Sequence, residues 1–309
     1  MSFAADVKEE LARIEPVCSH CNRAVLAAIV RVEGTLYMSG KGRRRLELAM
    51  DIPSVARLAI KLLHEIYSLK TELTMRHNVL HKTPNYLINV PSQPGLDEAL
   101  KDLGVLDENG LQMTVSPHIV SKQCCAAAYL RGVFMGSGFV SNPKGDFHFE
   151  MTVETQEMAE SIVDLMQQWD LNPRIQQRRS SYMVYMKSGE SILEFLAVVG
   201  AHQAALAMEN ERVIKSVRND VNRMVNAEKA NMVKAANASV DQIYAMRIVL
   251  EAYGVEGLAP ALQEIIRLRV KYPDATLKEL GEYSSPPLSK SAVYHRIRRI
   301  EEMAAEIKR

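Results

Sequence analysis

Apolar positions in this chain of 309 residues follow two periods, and the two come in an order that repeats. Phe147, Phe149, Met151 and Val153 alternate with His148, Glu150, Thr152 and Glu154, the period of two expected of a strand with one face on a core. The stretch "FVSNPKGDFHFEMTVE" therefore reads as a hairpin turning at "NPKG", and earlier in the chain "TLYM" and "RRRLELAM" form its counterpart, turning at "SGKG". Each hairpin leads into a segment of helical period: "SVARLAIKLLHEIYSL", with Ser54 as the expected N-cap, and "TQEMAESIVDLMQQW", with Thr155. Two further strands follow in each case, "TELTMRHN" with "NYLINV" and "RIQQRRSS" with "YMVYMK". A short helix then closes each series, "GLDEALKDLGV" and "ESILEFLAVVG". With the apolar helix that opens each series, the unit is α-β-β-α-β-β-α, twice. The expected fold is α+β, with pseudo-symmetric halves at about residues 20–107 and 120–202 of one domain (20–202), after an N-terminal helix within 1–19.

From Gln203 the strand signal stops. Residues 203–238, including "ENERVIKSVRNDVNRMVNAEKANMVKAA", read as a helical connector, and 239–309 as an all-α domain. Its helices are expected at Val240–Tyr253, Leu258–Lys271, Leu277–Tyr283 and Lys290–Ile307, punctuated by Gly257, Pro273 and "SSPPLS". The last two helices give the order of a helix-turn-helix, with a turn longer than usual. Ser289 can cap the second of them, and Leu288 can staple onto Val293. Val293, Ile297 and Ile300 share one face at helical spacing, which turns Ser291, His295, Arg298 and Arg299 outward with Tyr294 on the border. Together with Lys278, Ser289, Lys290 and Arg296 these are the candidate DNA contacts. Arg and Lys hold guanine edges or phosphates, and a helix N-terminus favours phosphate oxygens. Asn222, Arg223, Asn226, Lys229 and Asn231 on the connector are candidate secondary contacts, to DNA or between domains.

Composition adds little to this: 47% hydrophobic and 24% charged residues describe a folded chain, and a net charge of +1 leaves the partner open. No apolar run approaches the roughly 20 residues of a membrane span, and the acids in "MSFAADVKEELARI" do not suit a secretory leader, so a cytoplasmic location is expected. Cys18 and Cys21 form a C-x-x-C, whereas Cys124 and Cys125 are adjacent, an awkward pair of ligands. The expectation is thus four thiols in a reducing compartment, with no metal and no cofactor. Cys21 and Cys125 each lie 13 residues before a glycine, Gly34 and Gly138, which places them at equivalent positions of the repeat.

Around those glycines, "LAAIVRVEGTLY" and "YLRGVFMGSGFV" resemble the LAGLIDADG motif of homing endonucleases, and the two halves resemble that fold. The resemblance implies motif helices paired through small residues, here Ala28 and Gly132, with Gly136 allowing close approach. Gly34 and Gly138 are expected to end the helices in a left-handed backbone. Enzymes of that family hold metal ions with an acid from each motif. This chain has Arg31 and Glu33 in the first motif but Met135 and Ser137 in the second. A lone Glu beside an Arg is a poor Mg²⁺ site, and without a metal nothing obvious offsets the cost of an acid at a helix C-terminus. Glu33 and Ser137 are therefore degenerate nuclease positions, and no catalytic residue is expected.

The combination with "SFAADVKEELARI", "NRMVNAEKAN" and "SKSAVYHRIRRIEEM" resembles the WhiA family of bacterial sporulation and cell-division transcription regulators. That resemblance implies a regulator of double-stranded DNA without nuclease activity, tied to cell division and chromosome segregation or to sporulation. It would be nucleoid-associated, with other regulatory or division proteins as further candidate partners. Arg43, Arg45, Arg174 and Arg178 against Glu150 and Glu154 give the first domain a mixed surface, from which modest DNA affinity is expected. The alternatives are a residual endonuclease using Glu33, or a protein-interaction scaffold tethered nonspecifically to DNA.

Overall fold

The structure, a computed structural model, describes residues 2–40, 43–77, 84–108 and 110–308. The chain divides into two compact units, Met1–Lys215 and Ser216–Arg309. In the first unit, α1 (Phe3–Leu11) is capped by Ser2, whose hydroxyl accepts from the Ala5 amide. Two series follow. The first is α2 (Cys21–Glu33), β1 (Gly34–Ser39), β2 (Arg43–Met50), α3 (Pro53–Tyr67), β3 (Glu72–His77), β4 (Pro84–Val90) and α4 (Leu96–Asp102). A two-residue pair, β5 (Leu106–Asp107) and β6 (Gly110–Leu111), separates it from the second series. That series is α5 (Gln123–Ser137), β7 (Gly138–Val140), β8 (Phe149–Val153), α6 (Gln156–Gln167), β9 (Arg174–Arg178), β10 (Ser181–Met186) and α7 (Gly189–Val199). The sheets are antiparallel and ordered alike, β1-β2-β4-β3 and β7-β8-β10-β9, so the expected pseudo-symmetry of the α+β fold is present.

Helices α2 and α5 are apolar nearly all round, which fits a helix enclosed by protein on every side. Val25 to Val30 and Cys125 to Met135 are buried without a break except Ala127. The two lie side by side with the same polarity: Cys21 meets Cys124 at one end, and Glu33 meets Gly136 at the other. Small residues set their separation. A Cβ on Gly132 would fall 2.5 Å from the Val25 carbonyl oxygen and 2.7 Å from the Ala28 Cβ, and one on Gly136 would fall 2.5 Å from Val32 Cγ2.

Several local expectations are corrected. Gly34 and Gly138 do end their helices, but in extended backbone (φ −86° and −78°), not left-handed. Their reason is space: a Cβ would come within 2.1 Å of the Val30 carbonyl oxygen and 2.5 Å of that of Phe134. Ser54 lies inside α3, whose N-cap is Ile52, because Pro53 takes the first helical position where its missing N–H costs nothing. Thr155 does cap α6, accepting from the Met158 amide at 3.2 Å. Phe147 and His148 stand outside β8, in a longer turn held by the Ser141 hydroxyl, which donates to Asp146 O and accepts from His148 N. Lys41 and Gly42 of the "SGKG" turn, and Asn78 of the third strand, lie outside the described residues.

The largest difference is in the connector. The helix expected to stop at 238 continues unbroken as α8 (His202–Tyr253), with no proline or glycine to interrupt it. In the second unit, Ala245, Met246 and Val249 of α8 share a core with α9 (Pro260–Lys271), α10 (Leu277–Glu282) and α11 (Lys290–Ile307). No helix among the described residues is long and apolar enough to cross a membrane.

Candidate nucleic-acid interface

α11 begins where the sequence places it. Ser289 is its N-cap and accepts from the Ala292 amide at 3.2 Å. Val293, Ile297, Ile300 and Ala304 are buried against α9 and α10, and Leu288 packs at the edge of the same core. Gly281 brings α10 close: a Cβ there would sit 2.2 Å from the Leu288 carbonyl oxygen, and that glycine's own carbonyl accepts from the Leu288 amide. This contact fixes the turn from Tyr283 to Ser289 in spite of its length.

The opposite face of α11 carries Ser291, Tyr294, His295, Arg298 and Arg299, all exposed, with Lys290 exposed at its first turn. The Tyr294 and His295 rings meet edge to face at 5.7 Å. Arg298 and Arg299 share Glu302 at 3.3 and 3.7 Å, pairs exposed enough to be exchanged for a phosphate or a base edge at little cost. Lys278 on α10 is exposed and loosely paired with Glu282 at 3.8 Å.

Arg296 departs from this set. It is partly buried and its Nη1 donates to Glu264 of α9 at 3.1 Å, while the same carboxylate accepts from the Ser285 amide. Arg296 thus ties α11 and the preceding turn to α9. Three residues beyond Val293, it borders the buried stripe, and that spacing was the signal that could have set it apart. On α8, Asn222, Arg223, Asn226, Lys229 and Asn231 are all exposed, and Arg223 pairs with its neighbour Asp220 at 2.9 Å.

The first unit holds Glu33 and Ser137, the positions expected to be degenerate. Glu33 and Ser137 end α2 and α5 at a cleft of about 460 Å³ that Arg31, Thr35 and Glu154 also line. The residue that sequence reasoning missed is Lys8 of α1. Its ammonium donates to the Gly136 carbonyl at 2.7 Å and lies in electrostatic reach of Glu33 and Asp51. A cation at the C-terminal end of α5 satisfies a free helix carbonyl and offsets negative charge there. Lys8 therefore offsets part of the electrostatic cost of keeping Glu33 at this end of the helix pair. Burial pushes the Glu33 carboxyl up to about 7, with Lys8 pulling it back and Asp51 adding to the rise.

A folded-state value above the ordinary one means the native protein holds a proton that the unfolded chain has released. Stability from this group is thus fully present below about pH 4.5 and is lost as pH rises to about 7. Glu33→Gln is expected to remove that slope and to raise stability above pH 7 by up to about 3 kcal/mol, measured by urea unfolding from pH 5 to pH 8. A wild-type slope that persists in Glu33→Gln would assign the effect to another group.

Three domain families match the chain in order: the WhiA N-terminal LAGLIDADG-like domain over residues 19–106, the WhiA LAGLIDADG-like domain over 126–218, and the WhiA C-terminal HTH domain over 221–304. The chain belongs to the WhiA family. It is 39% identical to the probable cell division protein WhiA of Alkaliphilus metalliredigens, covering 98% of each chain. It is 41% identical to that of Symbiobacterium thermophilum, covering 99% of this chain and 98% of the other. The crystal structure of full-length DUF199/WhiA from Thermatoga maritima has the same fold, with a TM-score of 0.60 at 22% identity over 99% of both chains. The WhiA HTH match begins at residue 221, within α8, so the family's own division of the chain falls inside that helix and close to the boundary between the two compact units.

Proposed function

We propose that this protein is a transcription regulator that reads double-stranded DNA through α11, acts in cell division and chromosome segregation or in sporulation, and has no nuclease activity. The observation that carries the reading is the division of α11 into a buried apolar face and an exposed face of Ser291, Tyr294, His295, Arg298 and Arg299. Such a face at a helix N-terminus offers donors for phosphates in its first turn and for base edges beyond. The relatives' naming as probable cell division proteins supports the cellular role. Lys278, Ser289 and Lys290 serve as backbone-positioning contacts, and the exposed asparagines of α8 are available to a second surface of DNA or to another regulatory or division protein. The protein then works at the nucleoid.

Mapping of bound sites across the genome, followed by footprinting at fixed salt, tests this. A protected preferred sequence is expected. Uniform protection would reduce α11 to a nonspecific tether and leave the scaffold reading in its place.

The absence of nuclease activity rests on the chemistry of the helix ends. Two-metal cleavage in this fold draws an acid from each motif; here the first motif keeps Glu33, which lies in electrostatic reach of the Lys8 ammonium, and the second offers Ser137. Supercoiled DNA incubated with Mg²⁺ or Mn²⁺ is expected to stay intact. Nicking that disappears in Glu33→Gln would restore the endonuclease.

A further inference from the structure

Adjacency in the sequence speaks against a shared site for the four cysteines, yet the fold brings all four to one point. Cys18 and Cys21 stand at the start of α2 and Cys124 and Cys125 in the first turn of α5, so the side-by-side packing of these helices joins pairs more than a hundred residues apart. All four Sγ atoms lie within 4.8 Å of one another. Cys18 Sγ is 3.4 Å from that of Cys21 and 3.6 Å from those of Cys124 and Cys125. We propose that Cys18, Cys21, Cys124 and Cys125 bind one zinc ion in a closed tetrahedral thiolate site.

The spacing decides among the chemistries that four cysteines can serve. Zinc–thiolate bonds of about 2.3 Å in a tetrahedron place the sulfurs about 3.8 Å apart, close to what is seen. A disulfide needs about 2.05 Å, and the four are free thiols. An iron–sulfur cube is itself several ångströms across and would spread its ligands beyond this group.

The surroundings suit an anionic complex. Two helix N-termini converge on the sulfurs, and their partial positive charge favours thiolate. The His20 backbone N–H is directed at the Cys18 sulfur. Arg131, buried in α5 with its Nε donating to the Val199 carbonyl at 2.8 Å, lies in electrostatic reach of Cys21. Cys21 and Cys125 are buried while Cys18 and Cys124 are partly exposed, which leaves the ion a route from solvent.

Binding releases the four thiol protons to solvent and changes no oxidation state. Four protein ligands leave no open position, so the ion is structural. It staples the start of α2 to the first turn of α5, at the end of the helix pair opposite Glu33, and thereby fixes the register in which the two halves meet.

The test uses the full-length protein purified in reducing buffer. Elemental analysis is expected to give about one zinc per chain in the wild type and roughly tenfold less in Cys18→Ser/Cys124→Ser. Because that variant can lose its fold, a second measurement stays with the wild type: replacement by cobalt should give the visible absorption of a tetrahedral cobalt–thiolate centre, and a chelator should lower the thermal midpoint. Metal-free folded protein with four freely reactive thiols would overturn the proposal. So would a mass loss of hydrogens marking disulfides, or an iron–sulfur chromophore.

Discussion

Gly132→Val is expected to destabilise the unit Met1–Lys215 by about 3 kcal/mol or more, enough to unfold much of it at 37 °C, while the unit Ser216–Arg309 keeps its helices. The cause is the nature of the atoms in the way. A Cβ at Gly132 meets the Val25 carbonyl oxygen at 2.5 Å and the Ala28 Cβ at 2.7 Å, and both belong to the backbone frame of α2, which no rotamer change can move. Helices α2 and α5 would have to separate, and the buried row from Val25 to Val30 would lose its partner. Two glycines calibrate the effect. Gly136→Ala meets Val32 Cγ2 and Glu33 Cγ, side-chain and not backbone atoms, though Val32 is stiff at χ1, so a smaller loss of about 1 to 2 kcal/mol is expected; Gly40→Ala meets nothing within 4 Å and should be neutral. Trp169, the single tryptophan of the chain, packs against the core of the first unit, so its fluorescence during urea unfolding reports that unit. A Gly132→Val protein with the wild-type midpoint would mean that α2 and α5 do not pack as described.

The same helix pair shows what the sequence could reveal and what it could not. Period-two and helical patterns carried the order of elements, because burying one face of a strand or helix writes itself into consecutive residues. Thr155 and Ser289 were readable as caps for a similar reason: the hydroxyl and the amide it satisfies are three residues apart. Ser54 misled because a second local rule, proline at the first helical position, outranked it one residue earlier. Lys8 was invisible, since its partner Gly136 lies 128 residues away and an N-terminal helix could have docked elsewhere. The cysteines sat between these cases. The 13-residue spacing from Cys21 to Gly34 and from Cys125 to Gly138 implies equivalent places in the repeat, and the fold turns that equivalence into contact because α2 and α5 pack with the same polarity. Residues 124 and 125 diverge by one helical step, which is compatible with two sulfurs reaching one point when the other pair comes from the facing helix. In the tail, less than one helical turn separates Arg296 from Arg298 and Arg299, yet Arg296 stands three residues beyond Val293 at the edge of the buried stripe, where Glu264 of α9 meets it.

That division of roles makes the arginines of α11 a sharper test than their charge alone. Arg298→Ala/Arg299→Ala is expected to weaken binding to a preferred DNA site about a hundredfold or more, since an arginine that holds a base edge is worth roughly 1 to 3 kcal/mol. Folding should be nearly unchanged, because both side chains are exposed and their pairs with Glu302 contribute at most about 1 kcal/mol each. Glu302→Ala removes the competitor for both guanidiniums and should tighten binding by up to about fivefold at low salt. Arg296→Ala should behave in the opposite way. It breaks the tie to Glu264, leaves that partly buried carboxylate without its guanidinium partner, and lowers the stability of the second unit while the exposed face of α11 keeps its side chains. Where Arg298 or Arg299 meets a phosphate and not a base, the loss is uniform across sequences and the dependence on salt falls by about one ion for each phosphate released, so titrations at several salt concentrations separate the two kinds of interaction. Equal affinity of the wild type and the double variant, at every salt and on every sequence, would remove α11 from DNA recognition and leave the exposed asparagines and lysines of α8 as the surface that meets the partner.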